Sequence, residues 1–145
     1  MTEENKNILE EVAAVAAPAS KAKKKVAKRN VPAGELHIQA TFNNTIIAFT
    51  DKSGGVLVTG SAGASGFRGS KKGTGYAAQV ATEKAAESAR ANFGMRSVDV
   101  FVKGVGLGRD SAIRATGQAG IAINSIKDVT PLAHGGVRPK GQRKP

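Results

Sequence analysis

The chain contains no cysteine, no tryptophan and a single tyrosine among its 145 residues. Without cysteine it can form neither a disulfide nor a thiolate metal site, and this composition suits a reducing compartment. Long apolar runs are missing as well, since none approaches the ~20 residues that a membrane-spanning helix needs. Glu10 and Glu11 interrupt the apolar stretch near the start, so we expect no secretory signal and a cytoplasmic protein.

Acidic residues are also scarce, because 11 Asp+Glu face 22 Lys+Arg and leave a net charge of +11. The excess is uneven: Met1–Glu11 holds four Glu and one Lys, whereas Lys21–Arg29 holds six basic residues and no acid. From Asn30 onward there are 15 basic and 7 acidic residues, so the remainder of the chain is itself basic. A surface of this sign favours nucleic acid, and no amphipathic basic helix with large apolar side chains points to a membrane instead.

Composition divides the chain into three segments. Residues 1–32 are rich in Ala, Lys and Glu and lack aromatic residues, which is typical of a disordered extension. Residues 33–130 show regular apolar periodicities and are predicted to form one α/β domain that binds RNA. Residues 131–145 hold three prolines, three glycines and no large apolar residue after Val137, which predicts an extended basic tail.

Five strands are predicted from the pattern of apolar residues. Leu36, Ile38, Ala40 and Phe42 alternate with polar residues, as in a half-buried strand. The pair Asn43-Asn44 then suits a tight turn, because Asn tolerates positive φ. Residues 45–50 are apolar on both faces, as a central strand would be, and further strands are predicted over 56–61, 98–103 and 121–129.

Two helices are predicted between these strands, and a glycine-rich basic loop over residues 60–74 precedes the first. Alanines recur every four residues from Ala77 to Ala89, a stripe that lets a helix pack closely on a sheet, and Gly94 is placed to end it. The second helix is predicted over residues 110–119, ended by Gly120. Strand-helix-strand units after a three-strand meander predict an α/β fold whose later strands are parallel.

The stretch from Gly104 to Arg109 follows a strand and opens a helix, as a dinucleotide-binding fingerprint would. It departs from that fingerprint because Arg109 stands where the third glycine is required. The helix N-terminus beside Arg109 could still hold a phosphate of a nucleic-acid backbone, although a purely structural turn remains the alternative.

Nothing in the sequence predicts catalysis. His37 and His134 lie far apart, the aspartates stand singly, and neither HExxH nor a nucleophile elbow occurs. We therefore expect no enzyme activity, no catalytic residue, no metal site and no cofactor.

Six motifs occur in an order that resembles a known family: Phe42-Asn43-Asn44-Thr45, Ser65-Gly66-Phe67-Arg68-Gly69, Ala77-Ala78-Gln79-Val80-Ala81, Val102-Lys103-Gly104, Gly108-Arg109, and Asp128-Val129-Thr130-Pro131 with Arg138-Pro139. Together they are similar to ribosomal protein eleven of the small subunit in its bacterial form, from about Gly34 to the C-terminus. One departure is Gly135, where relatives usually carry Asn or Asp in a His-x-Gly turn. Glycine still serves a turn that needs positive φ.

The resemblance implies a ribonuclease-H-like mixed sheet of five strands with two helices and no nuclease activity. It also implies a structural constituent of the small ribosomal subunit, on the platform near the messenger RNA exit region and the 3′ end of the small-subunit RNA. Expected partners are small-subunit ribosomal RNA and the seventh, eighteenth and twenty-first small-subunit proteins. Aromatic residues are too few for base stacking, so recognition through shape and phosphates is expected. The RNA-binding candidates are Asn43, Asn44, Arg68, Lys71, Lys72, Arg109, Arg114, His134, Arg138, Lys140, Arg143 and Lys144.

Two rival functions belong to other classes. A nuclease or resolvase of the same fold would need clustered carboxylates that bind two metal ions, and the predicted strand ends do not offer them. A nucleoid-type DNA-binding protein would differ in failing to co-sediment with ribosomal particles.

Overall fold

A computed structural model describes residues 29–142. The predictions for residues 1–28, Arg143 and Lys144 lie outside this part of the chain. Five strands form one sheet in the order β3-β2-β1-β4-β5. The elements are β1 (Ala33–Ala40), β2 (Thr45–Thr50), β3 (Val56–Ser61), a short 3-10 helix (Gly69–Gly73), α1 (Gly75–Phe93), β4 (Ser97–Lys103), α2 (Gly108–Gln118) and β5 (Ala122–Asp128).

The sheet is mixed, as predicted. The β1–β2 and β2–β3 pairs are antiparallel, whereas β4 lies parallel to both β1 and β5. The α/β class with five strands and two helices is therefore confirmed, and so is the parallel pairing of the later strands.

The apolar core lies between one face of the sheet and the two helices. Large side chains such as Leu36, Phe49 and Val100 are fully buried there. The alanine stripe of α1 is buried against them, and a Cβ built on Gly60 of β3 would lie only 3.1 Å from the Cβ of Ala85. Small side chains on both sides therefore bring α1 close to the sheet, as the stripe predicts.

The two ends of α1 follow from local chemistry. The Thr74 hydroxyl caps α1 by accepting from the amide of Ala77, and Gly94 ends the helix in the left-handed region at φ 64°. The second helix begins at Gly108, two residues before the predicted start, and it has no side-chain cap at Leu107.

The first hairpin differs from the prediction at Phe42. Phe42 is not part of the half-buried face of β1, because the strand ends at Ala40 and the Phe42 side chain is 74% exposed in the turn. The tight turn predicted at Asn43-Asn44 is confirmed by the bond from the Thr41 amide to the Asn44 carbonyl at 2.9 Å, although neither asparagine has positive φ. The Thr41 hydroxyl instead stabilises the turn by accepting from the amides of Asn43 and Asn44.

Residues 45–50 form an inner strand between β3 and β1, and the middle strand of the five is β1, with two strands on either side. In β2 only one face is covered by helices, and Ile46 on the other face is 45% exposed. That uncovered face also carries His37 stacked on Phe101, with ring centroids 5.2 Å apart.

Candidate nucleic-acid interface

The glycine-rich loops meet where β1, β4 and β5 end. The amide of Gly106 donates to the carbonyl of Ala40 at 3.0 Å, and the amide of Gly104 donates to the Thr130 hydroxyl at 3.0 Å. The backbone of Gly73 lies directly against the carbonyl of Phe42. We call this surface the loop end; it comprises residues 41–44, 62–74, 104–107 and 128–130.

Both helices begin at the loop end, and their first turns are in contact. A Cβ built on Gly75 would lie 2.7 Å from the Ser111 hydroxyl, and the backbone of Gly108 lies against Thr45 and Ala78. The first turn of a helix has amides without a helical partner and the positive end of the macrodipole. Two such ends side by side favour an anion such as an RNA phosphate.

The basic loop of residues 68–72 lies beside these helix ends. Arg68 is anchored by a bond from its Nη1 to the carbonyl of Gly63 at 2.9 Å, and Lys71 is exposed. Phe67, directly before the loop, is half-buried and forms a T-shaped pair with the ring of Tyr76 at a centroid distance of 5.8 Å. The structure thus brings Arg68, Lys71 and Lys72 onto the same surface as the start of both helices.

Arg109 is held by an ion pair that sequence reasoning did not predict. Its Nη2 lies 2.6 Å from Oδ2 of Asp128, and its Nη1 donates to the carbonyl of Gly104 at 2.9 Å. Asp128 in turn accepts from both the hydroxyl and the amide of Thr130. These bonds, those of Thr130 first and then that of Arg109, hold the pKa of Asp128 well below its usual range.

The Arg109 guanidinium carries five N–H donors, and these two contacts use only some of them. Asp128 orients the group at the loop end while the remaining donors can meet a phosphate. The phosphate contact of Arg109 stays a prediction, and the structure adds the orientation of its guanidinium group.

The two asparagines lie at the tip of the β1–β2 turn. The Asn44 side chain accepts from the amide of Thr45 at 3.0 Å, so its carbonyl oxygen serves the turn. Asn43 is exposed beside it. Arg114 is exposed past the middle of α2, about 9 Å along the helix from its first residue, so the structure does not bring it to the loop end.

The tail leaves the loop end at Thr130 and is exposed throughout residues 131–142. Gly135 has φ 62°, which confirms a turn with positive φ at this position. His134, Arg138 and Lys140 are all exposed, and Val137 is 97% exposed, so the tail buries no apolar side chain there.

Sequence reasoning missed an apolar component of this surface. Phe42, Tyr76, Val105 and Leu107 are each more than 60% exposed at or beside the loop end. Apolar side chains in glycine-rich turns carry no periodic signal, and Phe42 in particular continues the alternation of β1. Exposed apolar side chains of this kind are suited to contacts with sugars or bases of a nucleic acid.

Residues 29–142 show neither a metal site nor a membrane span. No group of three or more His, Cys, Asp or Glu side chains is placed to hold a metal ion there. No helix in the same part of the chain is long and apolar enough to cross a membrane.

Comparison with known proteins assigns the chain to a family. The family model described as ribosomal protein S11 matches residues 34–144. The chain is also 53% identical over 121 residues to the small ribosomal subunit protein uS11 of Nitratidesulfovibrio vulgaris (strain DSM 19637 / Miyazaki F), covering 83% of this chain and 93% of that relative. The family is one of structural proteins of the ribosome rather than of enzymes, and the predicted resemblance is confirmed: the chain belongs to the ribosomal protein S11 family.

Proposed function

We propose that this protein is a structural constituent of the small ribosomal subunit that binds small-subunit ribosomal RNA through the phosphate contacts of its loop end and tail. It works without catalytic residues or a cofactor. It helps to form the platform near the messenger RNA exit region, in contact with the seventh, eighteenth and twenty-first small-subunit proteins. Its place of action is the cytoplasmic ribosome.

This proposal rests on the convergence of four features at the loop end: two helix N-termini, a basic loop and the first residues of the basic tail. Lys71 and Lys72 lie in the 3-10 helix directly before α1, and Arg109 lies in the first turn of α2, where amides have no helical partner. Cations and such amides both stabilise phosphate, and neither reads a base sequence. We therefore expect the protein to recognise the shape of the RNA sugar-phosphate backbone rather than a base sequence.

Binding to small-subunit RNA tests the proposal directly. Lys71→Ala/Lys72→Ala should weaken binding, and if both lysines meet phosphates the slope of log affinity against log salt should fall by about 1.4–1.8. The matched control is Lys84→Ala/Lys127→Ala, which removes the same charge from the middle of α1 and from the uncovered face of the sheet. Equal losses in the two variants would indicate only long-range attraction and would contradict a phosphate site at the loop end.

The position on the platform can be tested in assembled particles. Because the chain has no cysteine, Ser70→Cys provides a single thiol in the exposed basic loop for an iron chelate that generates hydroxyl radicals. Cleavage near the 3′ end of the small-subunit RNA is expected. Cleavage confined to other regions would contradict the platform placement without affecting membership of the small subunit.

A further inference from the structure

A second basic surface lies at the opposite end of the molecule, around a broad cleft. Its lining includes Asn30, Arg90, Arg96 and the backbone of Gly94 and Gly120, and none of its lining residues is acidic. The cleft forms because three connections meet here: the approach to β1, the α1–β4 loop and the α2–β5 turn. No residue of the proposed RNA interface belongs to it.

Arg90 is positioned across the cleft by a contact far along the chain. Its Nη1 donates to the carbonyl of Ala119 at 3.2 Å, beside Gly120, where φ is 80°. A Cβ on Gly120 would lie 2.9 Å from that nitrogen, so the glycine leaves room for the guanidinium. One bond fixes the direction of Arg90, and its other donors remain for a ligand.

A second arginine supplies the other positive charge among the lining residues. The Arg96 side chain is exposed, and its bonds to Pro32 and Ala122 are made by its backbone. The carboxylate of Asp51, in the β2–β3 turn at this end, accepts from Ser53 and Gly55. Arg29, directly before the lining residue Asn30, adds a positive charge at this end and acts on the carboxylate of Asp51.

The two basic surfaces lie at opposite ends of α1. This helix has 19 residues and is therefore about 28 Å long at 1.5 Å per residue. The loop end is at its N-terminus, and the cleft is at its C-terminus beside Gly94. A single phosphate group therefore cannot contact both surfaces.

We infer that the Arg90–Arg96 cleft is a second phosphate-binding site and that the protein bridges two separate segments of small-subunit RNA. The inference rests on the proposed function, because it assumes that the loop end holds the first segment. The planar guanidinium groups of Arg90 and Arg96 suit bidentate contacts to phosphate oxygens, and the Asn30 amide in the same lining is a further donor. Bridging also makes the second contact intramolecular, which strengthens attachment without a larger surface at either end.

Hydroxyl-radical footprinting on small-subunit RNA tests the bridge. Three variants are compared with the unaltered protein: Arg90→Ala/Arg96→Ala in the cleft, Lys71→Ala/Lys72→Ala at the loop end, and the control Lys84→Ala/Lys127→Ala. The cleft variant should lose protection of one RNA segment while keeping the other, and the loop-end variant should show the reverse. If both arginines meet phosphates, the salt slope of binding should fall by about 1.4–1.8 in the cleft variant.

Arg96→Glu separates binding from folding, because the Arg96 side chain makes no bond in the described structure that the fold would lose. It should weaken binding at least tenfold at low salt and leave the melting temperature unchanged. The bridge would be overturned if the cleft and loop-end variants lost protection of the same nucleotides. It would also be overturned if Arg96→Glu bound RNA as tightly as the control variant. If only the loop-end variant binds weakly, the proposed function stands and this inference fails.

Discussion

At the scale of single residues, Gly108 shows why one glycine is required where the helices meet the sheet. A Cβ at this position would contact Thr45 and would lie 2.7 Å from the Cβ of Ala78. Gly108→Ala should therefore lower the free energy of unfolding by about 1–3 kcal/mol, the usual cost of overpacking. The matched control is Gly117→Ala in the same helix, where a Cβ meets nothing within 4 Å. That variant should gain about 0.5–1 kcal/mol from reduced chain entropy.

Urea denaturation of the two glycine variants gives both values. Equal effects of the two substitutions would show that the contact with Thr45 relaxes freely and that the start of α2 is not fixed by close packing.

Asp128 gives a residue-scale prediction about pH. Its pKa is depressed in the folded protein. Its contribution to the free energy of unfolding is therefore fully present above the unfolded pKa of about 3.9 and is lost as pH falls through the folded pKa. Asp128→Asn keeps an oxygen that accepts from Thr130 but removes the charge that pairs with Arg109. The variant should melt a few degrees below the unaltered protein at pH 7, and the difference should shrink below about pH 4.

The control for this titration is Glu87→Gln, which removes an exposed carboxylate from α1. Thermal melts between pH 2.5 and 7 compare the two variants. A difference for Asp128→Asn that stayed constant down to pH 2.5 would contradict the role assigned to the ion pair.

At the scale of elements, the spacing of small side chains determines how α1 packs. Ala85 is nearly fully buried against Gly60 of β3, whereas Ala91 is exposed on the same helix. Ala85→Leu should cost about 1–3 kcal/mol, because the helix must move away from the sheet. Ala91→Leu should change stability by less than about 0.5 kcal/mol. A tolerated Ala85→Leu in thermal unfolding would contradict close packing along the stripe.

The elements that sequence could predict are those with a local cause. The alternation of Val98, Val100 and Val102 predicts β4, and all three side chains are buried on the helix-covered face. Gly94 predicts the end of α1, because a left-handed residue there needs no Cβ. Pattern and backbone chemistry within a few residues were enough in each case.

Contacts between residues distant in sequence could not be predicted in the same way. Arg109 reaches Asp128, 19 positions away, and Arg90 reaches Ala119, 29 positions away. The sequence indicates that these side chains are charged, but only the parallel order of β1, β4 and β5 brings them to their partners. Phe42 failed for the opposite reason, since its spacing fits β1 while the Thr41 hydroxyl turns the chain first.

At the scale of the whole molecule, the tail extends the loop end beyond the domain. It leaves β5 through Asp128 and Thr130, whose bonds to Arg109 and Gly104 fix its first residues. Residues 131–142 are then exposed, so the tail reaches a partner without disturbing the core. Cations on such a segment can follow a phosphate backbone, and they contribute to affinity by releasing counterions.

Removal of residues 137–145 should therefore leave folding intact and weaken RNA binding, most strongly at low salt. Four cations are lost, Arg138, Lys140, Arg143 and Lys144, and if all four meet phosphates the salt slope should fall by about 3. The matched control replaces the same four cations by Gln in the full-length chain, and it should reproduce the loss if charge is the cause. Arg138→Ala alone should cost more than Lys144→Ala, because Arg138 is nearer the fixed root of the tail and loses less entropy on binding. An unchanged slope after truncation would mean that the tail stays free in the complex, with the domain surfaces carrying the binding.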